Sequence, residues 1–330
     1  MVKILFCTQD RSDMVISRWL HCVEQETGKI AECKWAGKGH PLYVEGEDLN
    51  GTVKRVMPDA DWVMWAGIHK NPPKNRDYKL ALFLSDLHYS INLKARPAGM
   101  VKKMNSCNYD AFFMTYTKLA AQNHPFEPID PEFYIKNLNA PIFHFAAAQD
   151  TPYYKPMKEK NLEAVFLGAN HPIIYPIRYA VFEGLKPLAK KHGWRVMVRR
   201  TLPGRWNKSI KELYAQGLPA GPRYVSTLAG SKTFLFGSSV FKYPLPKFSE
   251  GMGSGTCCFS DTPYTAKELN FIPNWNFVEI NAKNWKDKLT YYLSHDEERE
   301  EIAANGYKTF LKYHTTEVRA RELVKFLEEN

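Results

Sequence analysis

Short, unbroken apolar runs separated by polar stretches long enough for a helix constrain this 330-residue chain most. The runs at residues 2–7, 62–67, 79–84, 111–115 and 141–145 lack the alternation of a half-exposed strand. Runs of this kind are expected where strands of a parallel sheet are covered on both faces. A polar, proline-punctuated stretch at 149–161 interrupts the pattern, which then restarts. Strands are expected at 164–168, 194–198, 233–236 and 256–260. Helices are expected at 176–192, 207–215, 246–254, 285–293, 297–313 and 316–328. In the first turn, Asp13 is placed to cap a helix running to about residue 27. The expected architecture is α/β: a first Rossmann-like domain over 1–157, a second over 158–315, and a terminal helix at 316–330 packing back on the first. Two such halves leave a cleft at the carboxyl ends of their strands, where ligands of parallel sheets bind.

Several classes fall away. No apolar run reaches the ~18–20 residues of a membrane span, and the opening segment reads as a strand rather than a signal-peptide core. The six cysteines form no CxxC pair, so reduced thiols in a cytoplasmic protein are expected, with no zinc cluster. A P-loop and a glycine fingerprint after the first strand are both absent, against NTPase and dehydrogenase readings.

The formal net charge is +10. Residues 158–215 contribute 12 basic against 4 acidic side chains, whereas 216–330 balance at 14 and 14. The densest part runs through Lys190, Lys191, Arg195, Arg199, Arg200, Arg205, Lys208 and Lys211, with Trp194 and Trp206 interleaved. Such a stretch is either a solvated surface or a seat for an anionic partner: a diphosphate, a nucleic acid or an acidic membrane.

The most informative segment is 242–261. It reads as a proline-led short helix that ends in glycines and feeds an apolar strand. A helix amino end offers N–H groups to a phosphate. Lys247 in its first turn adds a full charge, and Glu250 follows on nearly the same face. A carboxylate there can accept both hydroxyl hydrogens of a ribose. Gly253 and Gly255 permit close packing against the next strand.

This segment resembles the donor-binding motif of GT-B glycosyltransferases of the "glycosyl transferases group 1" type, related to spore-maturation proteins. The resemblance continues through Phe277-Val278-Glu279-Ile280, Tyr292-Leu293 with Asp296–Arg299, Ile302–Gly306 and His314-Thr315-Thr316 with Arg319–Leu323. Upstream it takes in Phe166-Leu167-Gly168 with Arg178, and Ser231–Leu235. It thus covers most of 160–330. It implies a GT-B fold with an N-terminal acceptor domain and a C-terminal nucleotide-sugar domain, and a hexosyltransferase using a UDP-sugar without a metal for donor binding. Glu250 would hold the ribose, with Lys247, Arg178, Gly251 and Lys232 at the rest of the donor. Arg199, Arg200, Arg205 and Lys208 would grip phosphates of the donor or of an anionic acceptor. Where the family often carries an acidic residue eight positions before the glutamate, this chain has Lys242.

Glycosyl transfer needs the acceptor hydroxyl deprotonated. Asp86, with His88 two residues on, closes the run 79–84 at the expected cleft edge and is the candidate base. Asp10 and Asp13 occupy the first β–α turn. The basic stretch favours double-stranded DNA bearing a 5-hydroxymethylated pyrimidine as acceptor, as phage-type enzymes use. A protein or polysaccharide hydroxyl stays open, as do a non-catalytic binding module and an epimerase of nucleotide-sugars.

Overall fold

The computed structural model describes residues 1–14, 17–65, 72–84, 97–116, 135–200 and 209–330. The first sheet has six strands: β1 (Lys3–Cys7), β2 (Glu32–Trp35), β3 (Trp62–Trp65), β4 (Lys79–Leu84), β5 (Ala111–Met114) and β6 (Ile142–His144), ordered β2-β1-β3-β4-β5-β6. Every neighbouring pair is parallel. The unbroken apolar runs follow from burial on both sides. Leu5, Val63, Leu82 and Phe112 face one core, and Ile4, Phe6, Met64 and Phe113 the other. Helices α1 (Arg18–Thr27), α2 (Leu49–Val56) and α3 (Pro97–Ser106) belong to this half.

The second sheet contains β7 (Leu162–Gly168), β8 (Val196–Arg200), β9 (Ser231–Leu235), β10 (Cys257–Ser260) and β11 (Val278–Glu279), again all parallel, in the order β11-β10-β9-β7-β8. Its helices are α4 (Pro176–His192), α5 (Ile210–Ala215), α6 (Gly221–Ala229), α7 (Lys247–Gly253), α8 (Trp285–Ser294), α9 (Asp296–Tyr313) and α10 (Thr316–Glu329). The strand order reverses between β7 and β9, so the carboxyl ends of those strands form the switch point at which such sheets bind ligands.

The two halves are tied at several places. Helix α10 returns to the first half, where Ala320, Leu323 and Leu327 share a core with Trp19, Leu20 and Val23 of α1. The loop after β9 sends Phe241 and Tyr243 into the other core of the first half, where Tyr243 stacks on Tyr116 with ring centroids 4.0 Å apart. Gln149 exchanges backbone hydrogen bonds with His314 and Thr316. Arg18 makes a two-pronged pair with Asp150 (2.7 and 3.3 Å) and covers the ring of Tyr153.

Several elements differ from expectation. Strand β2 and helices α2, α3 and α6 are additional. Asp13 does not cap α1, which begins at Arg18. Its carbonyl instead accepts from the N–H of Ile210, and Met14 bridges to Ser209, so this turn reaches the second half. Among the described residues no helix is long and apolar enough to cross a membrane.

Candidate active site

The site is built around the carboxyl end of β7. Lys247, the first residue of α7, points back over the sheet, and its ammonium donates to the Leu167 carbonyl at 2.7 Å. Arg178, in the first turn of α4, approaches from the other side. Its Nε donates to the carbonyl of Gly237, just past β9, at 2.5 Å, and its guanidinium lies over the Tyr175 ring. The two cations meet above Gly168, where a Cβ would lie 3.4 Å from Lys247 Cε and 3.9 Å from an Arg178 nitrogen. Arg178 is 5% exposed. Neither cation forms an ion pair among the described residues. Burial pushes the Lys247 ammonium down to about 8, with Glu250 opposing the shift and Arg178 adding to it. Burial lowers Arg178 as well. Two desolvated positive charges without a carboxylate partner are costly unless an anion joins them.

Glu250 lies one turn along α7. Its Oε2 accepts from the Tyr224 hydroxyl of α6 at 2.5 Å, and that same hydroxyl lies 3.4 Å from the Lys247 ammonium. Burial, with the adjacent Glu250 carboxylate, holds the Tyr224 phenol well above its ordinary pKa, so it stays a donor. One carboxylate oxygen is thus committed, which orients the other.

The loop after β9 is held by Asp261 at the end of β10. This buried carboxylate accepts from the Ser238 N–H (2.7 Å), the Ser238 hydroxyl (2.6 Å) and the Lys242 ammonium (2.5 Å). Lys242 has φ +57°, a left-handed backbone that non-glycine residues rarely adopt. Its charge, at the position where the resembled family is often acidic, is answered by Asp261.

The predicted residues therefore divide. Lys247, Glu250 and Arg178 gather at the switch point. Gly251 is beside them in sequence but faces the sheet: a Cβ there would run into Cys258 and Phe234, so its smallness lets α7 lie flat. Lys232 is not brought to the site. It stands near the amino end of β9, the opposite edge, where its charge acts on Asp296. Arg199 and Arg200 are exposed at the carboxyl end of the edge strand β8, without an acidic partner among the described residues. Asp86, His88, Arg205 and Lys208 lie outside the described residues. Sequence reasoning missed Tyr224, Asp261 and Asn170. Asn170 is buried two residues past Gly168, and its Oδ1 has no hydrogen-bond partner among the described residues. The open groove lined by Asp61, Trp62 and Lys79, at the amino ends of β3 and β4, holds none of these groups.

Chemically, the arrangement suits a diphosphate over Gly168 and a polyhydroxylated group at Glu250. Residues 183–325 match the family model described as "Glycosyl transferase-like". No curated protein sequence matches the chain significantly. Among solved structures, sucrose-phosphate synthase from Thermosynechococcus elongatus superposes with a TM-score of 0.65 at 10% identity, over 100% of this chain and 99% of that one. HepE of Anabaena, in complex with UDP and glucose, gives 0.60 at 13% identity with both chains fully covered. An alpha-glucosyltransferase in complex with UDP and a 13-mer DNA containing a central A:G mismatch gives 0.61 at 10% identity, over 98% and 99%. The fold is GT-B, with two Rossmann-like parallel-sheet domains. Residues 183–325 are thus glycosyl transferase-like in sequence, on a fold that the whole chain shares with the structures named above.

Proposed function

We propose that this glycosyltransferase moves a hexose from a UDP-sugar to a hydroxyl on DNA, a 5-hydroxymethylated pyrimidine. The observation that carries the donor half is the pair of unpaired cations, Lys247 and Arg178, over Gly168. They take up the charge that develops on a leaving diphosphate, the main electrostatic demand of the reaction. Glu250, oriented by Tyr224, accepts the ribose hydroxyls. The UDP found in the HepE and alpha-glucosyltransferase structures supports uridine as the nucleoside. Because two side-chain cations answer the diphosphate, UDP affinity is expected to be unchanged by a chelator.

The acceptor half rests on the basic stretch. Lys190, Lys191, Arg195, Arg199, Arg200 and Lys211 are all exposed, and β8 delivers Arg199 and Arg200 to the carboxyl edge of the sheet. The DNA-bound GT-B structure supports the same acceptor class. Contacts of this kind make affinity fall steeply with salt. The acceptor base expected from the sequence, Asp86 with His88, lies outside the described residues.

Nucleoside mass spectrometry tests the proposal. The protein is incubated with UDP-sugars and duplex DNA containing hydroxymethylcytosine or hydroxymethyluracil, with unmodified DNA alongside. A hexose mass gain on the hydroxymethylated base alone is the expected result. Donor turnover with no gain on DNA overturns the acceptor and directs the search to protein and polysaccharide hydroxyls. Absence of UDP binding overturns the donor as well.

A further inference from the structure

Asn170 stands in the stretch that carries the chain from Gly168, at the end of β7, to Arg178 in the first turn of α4. It is 5% exposed, and its Oδ1 has no hydrogen-bond partner among the described residues. The stretch around it is well tied. The Tyr175 N–H donates to the His171 carbonyl at 2.8 Å, and the Ile174 N–H lies 3.4 Å from His171 Nδ1. The Ile174 carbonyl accepts from the Val240 N–H at 2.9 Å, which fastens this loop to the one after β9. A buried acceptor without a donor destabilises the fold, so a group of this kind calls for a functional reason.

Its place in the chain narrows that reason. Two peptide units separate Asn170 from Gly168, so their Cα atoms lie within about 8 Å of each other. Lys247 and Arg178 meet above Gly168. An amide oxygen only accepts hydrogen bonds, and so do the oxygens of an ionised diphosphate, so the two do not pair. The groups of a UDP-hexose that can donate are the uracil N3–H, the ribose hydroxyls and the hydroxyls of the hexose. Nucleoside and hexose leave the diphosphate from opposite ends. The proposed ribose ligand, Glu250, belongs to α7, on the Lys247 side of Gly168, whereas Asn170 belongs to the loop that leads into α4, on the Arg178 side.

We propose that Asn170 Oδ1 accepts a hydrogen bond from one hydroxyl of the transferred hexose and so selects the donor. The inference rests on the glycosyltransferase reading above and adds a specificity-determining residue to it. A buried acceptor completed by a ligand hydroxyl rejects the analogue that lacks it, because the acceptor is then left unpaired again. Selection by Asn170 is therefore selection for a hydroxyl at one ring position, with the nucleotide held independently by Lys247, Arg178 and Glu250.

The test is calorimetry on the full chain with UDP, UDP-glucose, UDP-galactose and the monodeoxy forms of whichever UDP-hexose binds more tightly. For the wild type, removal of one particular hydroxyl is expected to weaken binding about 5–30-fold. Asn170→Leu, similar in size and apolar, should weaken the parent UDP-hexose by about the same factor. It should bind the form lacking that hydroxyl no more weakly than the wild type does, and UDP within about threefold. The melting temperature of the free variant should equal or exceed that of the wild type, because the unpaired acceptor is gone. A variant that still discriminates every hydroxyl as the wild type does overturns the assignment. So does UDP affinity lost in step with UDP-hexose affinity, which would give Asn170 to the nucleotide, and so does a lower melting temperature with both affinities lost, which would make its role one of folding. A wild type that binds UDP and neither UDP-hexose overturns it too. A wild type that binds no UDP instead overturns the donor reading on which this inference stands.

Discussion

The Tyr224 hydroxyl and the Glu250 carboxylate share a 2.5 Å hydrogen bond that joins helix α6 to helix α7 beside Lys247. Glu250 is the proposed ribose ligand, and Tyr224 keeps it in one orientation. Glu250→Gln is expected to raise the donor KM about 10–100-fold, because hydrogen bonds to a charged acceptor are worth ~1.5–3 kcal/mol. Tyr224→Phe leaves the carboxylate in place but free to rotate, so its KM should rise by less, about 3–10-fold. Steady-state kinetics on the two variants checks the order. Equal effects would mean that Tyr224 touches the donor itself.

Lys247 gives a pH-dependent prediction with a definite sign. Burial holds its ammonium at about 8, below the ordinary lysine value of 10.5. The free protein is therefore partly deprotonated there above pH 8, and a bound diphosphate draws the pKa back up. Binding of UDP should take up a proton near pH 8 to 9, where the terminal phosphate of UDP is already fully ionised, and this uptake should be absent in Lys247→Met. Calorimetry in two buffers of different ionisation enthalpy measures this. The unfolded chain also binds more protons than the folded one between pH 8 and 10.5, so this group's contribution to stability rises across that window. Below pH 8 the full cost of burying the charge is present. Lys247→Met should accordingly raise the melting temperature of the free protein at pH 7 and abolish its further rise on adding UDP.

The sequence made visible those parts of the fold where burial is complete on both sides. Residues 79–84 and 176–192 were bounded correctly because β4 is an unbroken apolar run and α4 opens on Pro176 and closes before Gly193. Strand β2 was invisible because Glu32–Trp35 is an edge strand with a polar, half-exposed pattern. Helix α6 was invisible because it opens on Gly221 and Pro222, which read as a turn. Missing that helix meant missing Tyr224. Lys247, Glu250 and Arg178 were legible through local spacing and the family resemblance. Lys232 was misplaced because nearness in sequence to a strand does not say which end of it faces the cleft. Asp261 escaped because its partners, Ser238 and Lys242, are 23 and 19 residues away. Asn170 escaped because its burial depends on how the loop after β7 folds, which no spacing reveals.

Tyr243 belongs to the second half of the chain by sequence and to the first by packing. It is 4% exposed, stacks on Tyr116 and Phe241, and follows the loop that Asp261 ties down. Tyr243→Ala should cost about 3–5 kcal/mol, the range for emptying a buried aromatic site. Because the side chain couples the two halves, the loss should also separate their unfolding. Guanidinium denaturation followed by fluorescence should then show two transitions in the variant where the wild type shows one. A single transition shifted to lower denaturant would leave the packing role and remove the coupling role.

His314 sits where α9 gives way to α10. It is 2% exposed, its carbonyl accepts from the Gln149 N–H at 3.0 Å, and its Nε2 lies 2.8 Å from the Leu269 carbonyl. Donation to that carbonyl requires the Nε2–H tautomer of the neutral ring. Burial, with Arg319 nearby, pushes its pKa down to about 3, against 6.5 for an exposed histidine. Below pH 6.5 the unfolded chain takes up a proton that the folded chain refuses. The stability this group supplies is therefore complete above pH 6.5 and is lost as pH falls towards 3, by up to ~1.4 kcal/mol per pH unit. His314→Gln keeps a donor for Leu269 and removes the titration. The variant should match the wild type at pH 7.5, within about 1 kcal/mol, and exceed it at pH 4.5. Urea denaturation at the two pH values measures the difference. Parallel loss in both proteins would place the acid sensitivity elsewhere.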